Sequence, residues 1–129
     1  MSENFIVEII SPDKSVLKSD VNEVIIPSYE GQMGILKNHV PLITFLRPGF
    51  INIIKGSEEK KFFVEDGTVE FLNDNLIILT STCKSLDNLN SKTIQEIINN
   101  SEKKIGKNEI SDKERYLLSH KIEALREIS

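Results

Sequence analysis

Between Phe5 and Thr82 the chain is a series of short apolar runs cut by turn residues, and this punctuation limits the fold more than any other feature. Phe5-Ile6-Val7-Glu8-Ile9-Ile10 puts Phe5, Val7 and Ile9 on one face at the two-residue period of a strand. Ser11-Pro12-Asp13-Lys14 is a turn, Val16-Leu17 is a short extended piece, and Val21 to Ile26 is a strand that stops at Pro27. Further strands are expected at 42–46, 50–55, 61–64 and 68–72. Asn73-Asp74-Asn75 suits a tight hairpin, because Asn and Asp tolerate the left-handed region. Leu76 to Thr82 closes the series. Turn signals roughly every 8–12 residues between short strands imply an antiparallel β-sandwich or barrel.

After Cys83 the period changes. Asn90 or Ser91 can cap a helix in which Ile94, Ile97, Ile98 and Ile105 recur at helical spacing, with Gly106 as a left-handed stop. Ser111-Asp112-Lys113-Glu114 is a capping box, and it opens a second helix striped by Leu118, Ile122 and Leu125, widened by Leu117 and Ile128. The short polar link makes an antiparallel hairpin, and stripes this narrow must pack on each other, on the sandwich or on a partner. The expected fold class is therefore α+β, a sandwich over residues 1–84 followed by a two-helix hairpin over 85–129.

The hydrophobic fraction of 39% in 129 residues supports a core, and with 6% aromatics and no Trp that core is mostly aliphatic. No run approaches the roughly 18 apolar residues that span a bilayer, and the acidic start Met1-Ser2-Glu3-Asn4 shows no secretory signal, so a membrane role is expected to be peripheral. One cysteine, Cys83, excludes an internal disulfide and is expected to be a buried small hydrophobe. A net charge of -4 argues against nucleic acid. The acidity is concentrated up to Cys83, with seven basic against twelve acidic residues, and the remainder has nine against eight.

No catalytic, cofactor or metal constellation emerges. Gly31 and Gly34 lack the Gly-Lys-Ser/Thr of a phosphate loop, and His39 and His120 have no zinc spacing. Glu58-Glu59 and Glu65-Asp66 fall in turns, where solvated charge explains them. The most shaped stretch is Glu30 to Gly49, EGQMGILKNHVPLITFLRPG. It is expected to form a structured surface loop, then a short strand, then a break at Arg47-Pro48-Gly49.

That stretch closely resembles the signature of the ε subunit of bacterial F-type ATP synthases, roughly E-G-x-x-G-(I/V)-(L/Y)-x-x-H-x-P-L-(I/L)-T-x-(L/I)-x-P-G. Phe62-Phe63-Val64, Gly67, Val69-Glu70-Phe71 and Asn73-Asp74-Asn75 also fit the family, so the resemblance covers about residues 3 to 83. It implies a non-catalytic rotor subunit linking the γ subunit to the membrane c-ring and coupling proton flow to ATP synthesis, on the cytoplasmic face of the bacterial inner membrane. By the same resemblance Ser11, His39 and Thr44 face γ, and Glu30, Gly31, Gln32 and Met33 form the loop facing the c-ring. Read from the residues alone, His39 is rather a satisfied edge histidine, since interfacial ones are rarer. Gln32 stands where some members carry a second acid.

The family's hairpin lies on the sandwich or extends towards the catalytic α and β subunits, where it restrains ATP hydrolysis. Lys113, Arg115, Lys121 and Arg126 are the basic residues expected to serve such contacts, diluted by Glu114, Glu123 and Glu127. Some members bind ATP through (I/L)-D-x-x-R-A. Here Leu86-Asp87-Asn88-Leu89-Asn90-Ser91 puts Asn for Arg and Ser for Ala, so no cofactor is expected. The subunit is not expected to be a homo-oligomer. Two other classes stand beside this reading: a free β-sandwich adaptor with a helical regulatory tail, and an acid/base hydrolase using Glu65 or Asp66.

Overall fold

The computed structural model describes residues 3–107 and 109–128. Parts of the expected N-terminus (Met1, Ser2) and interhelical link (Asn108), with Ser129, fall outside them. Ten strands precede two helices: β1 Phe5–Ser11, β2 Lys14–Val21, β3 Glu23–Ser28, β4 Gly31–Leu36, β5 Leu42–Leu46, β6 Gly49–Lys55, β7 Glu58–Val64, β8 Gly67–Leu72, β9 Asn75–Leu79 and β10 Cys83–Ser85. A 3-10 turn at Leu86–Asn88 leads into α1, Ser91–Ile105, and then α2, Asp112–Ile128.

Strand order is β10-β7-β6-β3-β5-β8-β9-β1-β2, with β4 pairing β3 outside this path. The β3–β5 pairing is the single bridge Ser28↔Leu46, so the sheet folds over there into two layers. Alternate side chains of both layers meet between them: Phe5, Val7 and Ile9 of β1, Val24 and Ile26 of β3, Ile51 and Ile53 of β6, Phe71 of β8, Leu76 and Ile78 of β9. Phe5 meets the Phe71 ring edge to face with centroids 5.6 Å apart. Asn73 and Asp74 take φ of 50° and 59°, the two left-handed residues that a two-residue hairpin between Leu72 and Asn75 requires. All pairs are antiparallel except β1 with β9, which are parallel. Those two strands lie far apart in the chain, so no short turn dictates their relative direction.

Several details depart from the sequence reading, and one is that Glu58 and Glu59 lie not in a turn but at the start of β7, paired with Lys55 and Ile54 of β6. Residues 31–36 form a strand paired with β3 from Glu23↔Leu36 to Ser28↔Gly31, so only Tyr29 and Glu30 remain as the turn. Strand β3 also runs through Pro27. The carbonyl of Pro27 accepts from Arg47 N at 2.9 Å, so its nitrogen points to that side too, away from β4, and no β3–β4 ladder bond is lost. Gly106 ends α1 at φ -77°, in the right-handed region, because the helix closes by a tight turn in which Lys107 N donates to Lys104 O at 3.2 Å. Cys83–Ser85 adds a short edge strand to β7, and Cys83 is half-buried against the core rather than fully enclosed.

The helices cover the outer face of β6–β7, where Phe50 and Phe63 point away from the sandwich core with ring centroids 5.4 Å apart. Ile94 and Ile98 of α1 and Ile122 and Leu125 of α2 close over them as a second core. Each such side chain contributes about 1.5–3 kcal/mol on burial, offset by the entropy of ordering the hairpin. Asn90 caps α1, accepting from Thr93 N at 2.8 Å. Ser111 caps α2, accepting from Glu114 N at 3.1 Å, as the capping box requires.

Candidate functional site: the rim under the docked hairpin

The turn at Tyr29-Glu30 is the centre of one rim of the sandwich. Ser28 Oγ donates to Gly31 O at 2.7 Å and accepts from Glu30 N at 3.2 Å, fixing the turn from within. Gly31 takes φ +119° with open space where a Cβ would stand, so backbone conformation and not a close neighbour demands glycine. Gly49 is the converse: a Cβ would lie 2.7 Å from Pro27 Cβ. The signature's final glycine thus lets the β5–β6 turn press against β3.

Residue by residue, this rim divides the expected c-ring set. Glu30 and Gln32 are exposed, whereas Met33 alternates inward and packs on the core. The expected γ-facing set is divided more widely. Ser11 sits on the same rim as Glu30, where its hydroxyl donates to Lys14 O at 3.3 Å and closes the β1–β2 turn. His39 lies at the opposite rim, its ring edge on Phe71 at 5.9 Å and its Nδ1 2.7 Å from Val40 O. Thr44 points inward and is only 6% exposed.

What surrounds Thr44 is what the sequence reading missed. Its neighbours Ile43 and Phe45 are 75% and 57% exposed and stand on the outer face of the β5-β8-β9 layer with Leu72, Ile77 and Leu79. The signal was present in Leu42-Ile43-Thr44-Phe45-Leu46, which is apolar on both faces; strands of that kind are covered on both faces. An open cleft of about 1040 Å³ borders this face, lined by Ile10, Ser11, Tyr29, Phe45, Leu79 and Lys113 among others.

The basic residues expected to reach partners are, apart from Lys113, engaged within the chain. Lys121 Nζ pairs with Glu65 at 2.5 Å, tying α2 to the sandwich. Arg126 pairs with Glu102 at 2.7 Å, tying α2 to α1, and Arg115 Nη1 donates to the Ile105 carbonyl at 2.9 Å. Around the rim Tyr29 stacks on Tyr116, Tyr116 meets His120 at 4.4 Å, and Arg47 Nη1 donates to His120 Nε2 at 3.4 Å. Burial foremost, then the Arg47 guanidinium, holds the His120 imidazole below its ordinary pKa, with Glu123 opposing. Burial alone pushes the Cys83 thiol up to about 11.

Both acids of the hydrolase reading are engaged by partners within the chain. Glu65 is taken by Lys121, and Asp66 accepts from Ser81 Oγ at 2.7 Å and from Ser81 N at 3.1 Å. Among the described residues no group of three or more His, Cys, Asp or Glu is placed to hold a metal, and no helix is long and apolar enough to cross a membrane. The Leu86–Ser91 segment is a 3-10 turn followed by the α1 cap, so the Asn standing for the ATP motif's Arg is occupied in starting a helix.

Residues 4–85 match the family model described as ATP synthase, Delta/Epsilon chain, beta-sandwich domain. The ATP synthase epsilon chain of Pelagibacter ubique (strain HTCC1062) is 43% identical over 100% of both chains. That of Dichelobacter nodosus (strain VCS1703A) is 35% identical over 81% of this chain and 74% of its own length. In fold, the chain resembles one in the Euglena gracilis mitochondrial ATP synthase OSCP/F1/c-ring structure, with TM-score 0.82 at 18% identity, over 99% of this chain and 82% of that one. It also resembles one in the Tetrahymena thermophila mitochondrial central stalk/c-ring structure, with TM-score 0.65 at 14% identity, over 98% and 97%. With a two-layer sandwich matched end to end and a full-length relative at 43% identity, this chain belongs to the family of ATP synthase epsilon chains.

Proposed function

We propose that this chain is a non-catalytic subunit of the central stalk, seated between γ and the c-ring and turning with them. The observation that carries the reading is the gathering of exposed apolar side chains, Ile43, Phe45, Leu72, Ile77 and Leu79, around Glu70 on the outer face of β5-β8-β9. A patch of this kind marks a protein interface, and in this reading γ covers it. Glu30 and Gln32 at the rim then face the c-ring, a polar contact without the second acid some relatives carry. Such a part transmits torque by shape and rigidity, so it needs no titratable site. The protein is peripheral to the membrane, and we place it on the cytoplasmic face of a bacterial inner membrane.

The hairpin is in this reading a regulatory element with two packings. The Phe50–Phe63 surface gives it a docked state, and the same aliphatic stripe is free to meet the catalytic α and β subunits once undocked. Because Arg115, Lys121 and Arg126 have partners in the docked state, opening must break those contacts before they can serve others. Co-purification of γ and c with the tagged chain tests the assignment. Recovery of unrelated clients instead would favour a free adaptor.

A further inference from the structure

We propose that His120 is a pH-responsive latch: as the neutral imidazole it accepts from Arg47 and holds α2 on the sandwich, and on protonation it releases the hairpin. The contact joins residues on different units, since Arg47 lies in the β5–β6 turn and His120 on α2. A guanidinium carries only donors, so the 3.4 Å contact from Arg47 Nη1 requires a lone pair on His120 Nε2. Protonation removes that lone pair and leaves two cations in its place. The geometry therefore rewards the neutral form only while the hairpin is docked.

The surroundings decide the net sign. From the sandwich, Arg47 of the β5–β6 turn and Lys61 of β7 line the same crevice as His120, and Tyr29 reaches the group through Tyr116. From α2 itself, Glu123 and Glu127 line the crevice, and Glu123 Oε2 stands 3.9 Å from His120 Nδ1. Glu123 is the acid beside the ring and favours its charged form, as can the Tyr116 ring 4.4 Å away, but the Glu123 side chain is 71% exposed, so water screens its attraction. Burial and Arg47 both disfavour the charge, and the imidazole is held below 6.5. A base whose pKa is lowered on docking stabilises the docked state fully above its free value and loses that contribution as pH falls through it. Docking should thus weaken below about pH 6.5, within the range a histidine switch serves.

The inference concerns the isolated chain and stands whether or not the hairpin restrains an assembled enzyme. Amide exchange across α2, corrected for intrinsic rates, is measured on the full chain at about pH 7.5 and about pH 5.5, on either side of the free imidazole. In the unaltered protein, protection between 116 and 126 is expected to fall several-fold at the lower pH. In His120→Gln, whose amide oxygen can still accept from Arg47, it is expected to stay constant. Equal loss in both proteins, or none in either, overturns the latch. A second arm does not depend on how His120→Gln folds. The His120 ring titration followed by NMR should move up in Arg47→Met, with His39 on the opposite rim as internal reference, and an unmoved His120 titration would also overturn it.

Discussion

Tyr29, in the turn between β3 and β4, stacks on Tyr116 of α2 with ring centroids 5.7 Å apart and planes within 10° of parallel. The sandwich turn that carries the family signature is therefore also a seat for the hairpin. Anything that grips this turn, whether a ring of membrane subunits or the hairpin, competes for or completes one surface.

The two cores are separate, and the sandwich should not need the hairpin to fold. Residues 1–85 retain the complete inter-layer core and lose only the cover over Phe50 and Phe63. A truncation ending at Ser85 is expected to be soluble and to unfold cooperatively in a thermal melt, with more dye-accessible apolar surface than the full chain. A chain without a cooperative transition would place the domain boundary elsewhere.

Leu125, fully buried between hairpin and sandwich, is the side chain whose loss should loosen docking most. Leu125→Ala is expected to cost about 2–5 kcal/mol of local stability, the usual range for a buried leucine. Amide exchange should show the loss in α1 and α2 while β1 to β9 stay protected. Loss of protection throughout the sandwich would mean that the two units unfold as one.

The positions of most strands were legible because alternation and turn residues are local properties. Phe5, Val7 and Ile9, and Asn73-Asp74, behave as their period and chemistry demand. Strand β4 was not legible: two glycines and a following Lys37-Asn38 look like loop, and only pairing with β3 makes 31–36 extended. Pro27 was misread for the related reason that its missing donor matters only on the side facing a ladder partner. The site was less legible still. Nothing local links Arg47 to His120, 73 residues away, nor shows that Thr44 points inward while Ile43 and Phe45 point out.

ATP should bind the isolated chain weakly or not at all. Asn90 caps α1 at the place of the Arg in the (I/L)-D-x-x-R-A pattern, and a neutral amide cannot supply a bidentate charged contact to phosphate. Titration calorimetry is expected to give no measurable heat of binding at micromolar ATP, and a micromolar dissociation constant would overturn this.

Restraint of hydrolysis should be modest. On α2 the acidic Glu114, Glu123 and Glu127 alternate with the basic residues, which dilutes attraction to an acidic partner segment. Assembled enzyme carrying the chain stopped after Ser85 is expected to hydrolyse ATP slightly faster than enzyme with the full chain. A many-fold rise would show strong restraint and contradict the charge argument.

The central claim is that the outer face of β5-β8-β9 seats γ, and it is tested most directly by co-purification with an altered face. Ile43 is 75% exposed and Phe45 57%, so Ile43→Asp and Phe45→Asp should leave the fold and its melting temperature nearly unchanged. Two further carboxylates beside Glu70, which stands opposite Ile43, should nonetheless prevent γ from covering the face, because like charges would be crowded and buried without partners. The unaltered chain is predicted to recover γ and c together, and the folded Ile43→Asp, Phe45→Asp protein to recover neither. Undiminished recovery of γ by that folded variant would contradict the account.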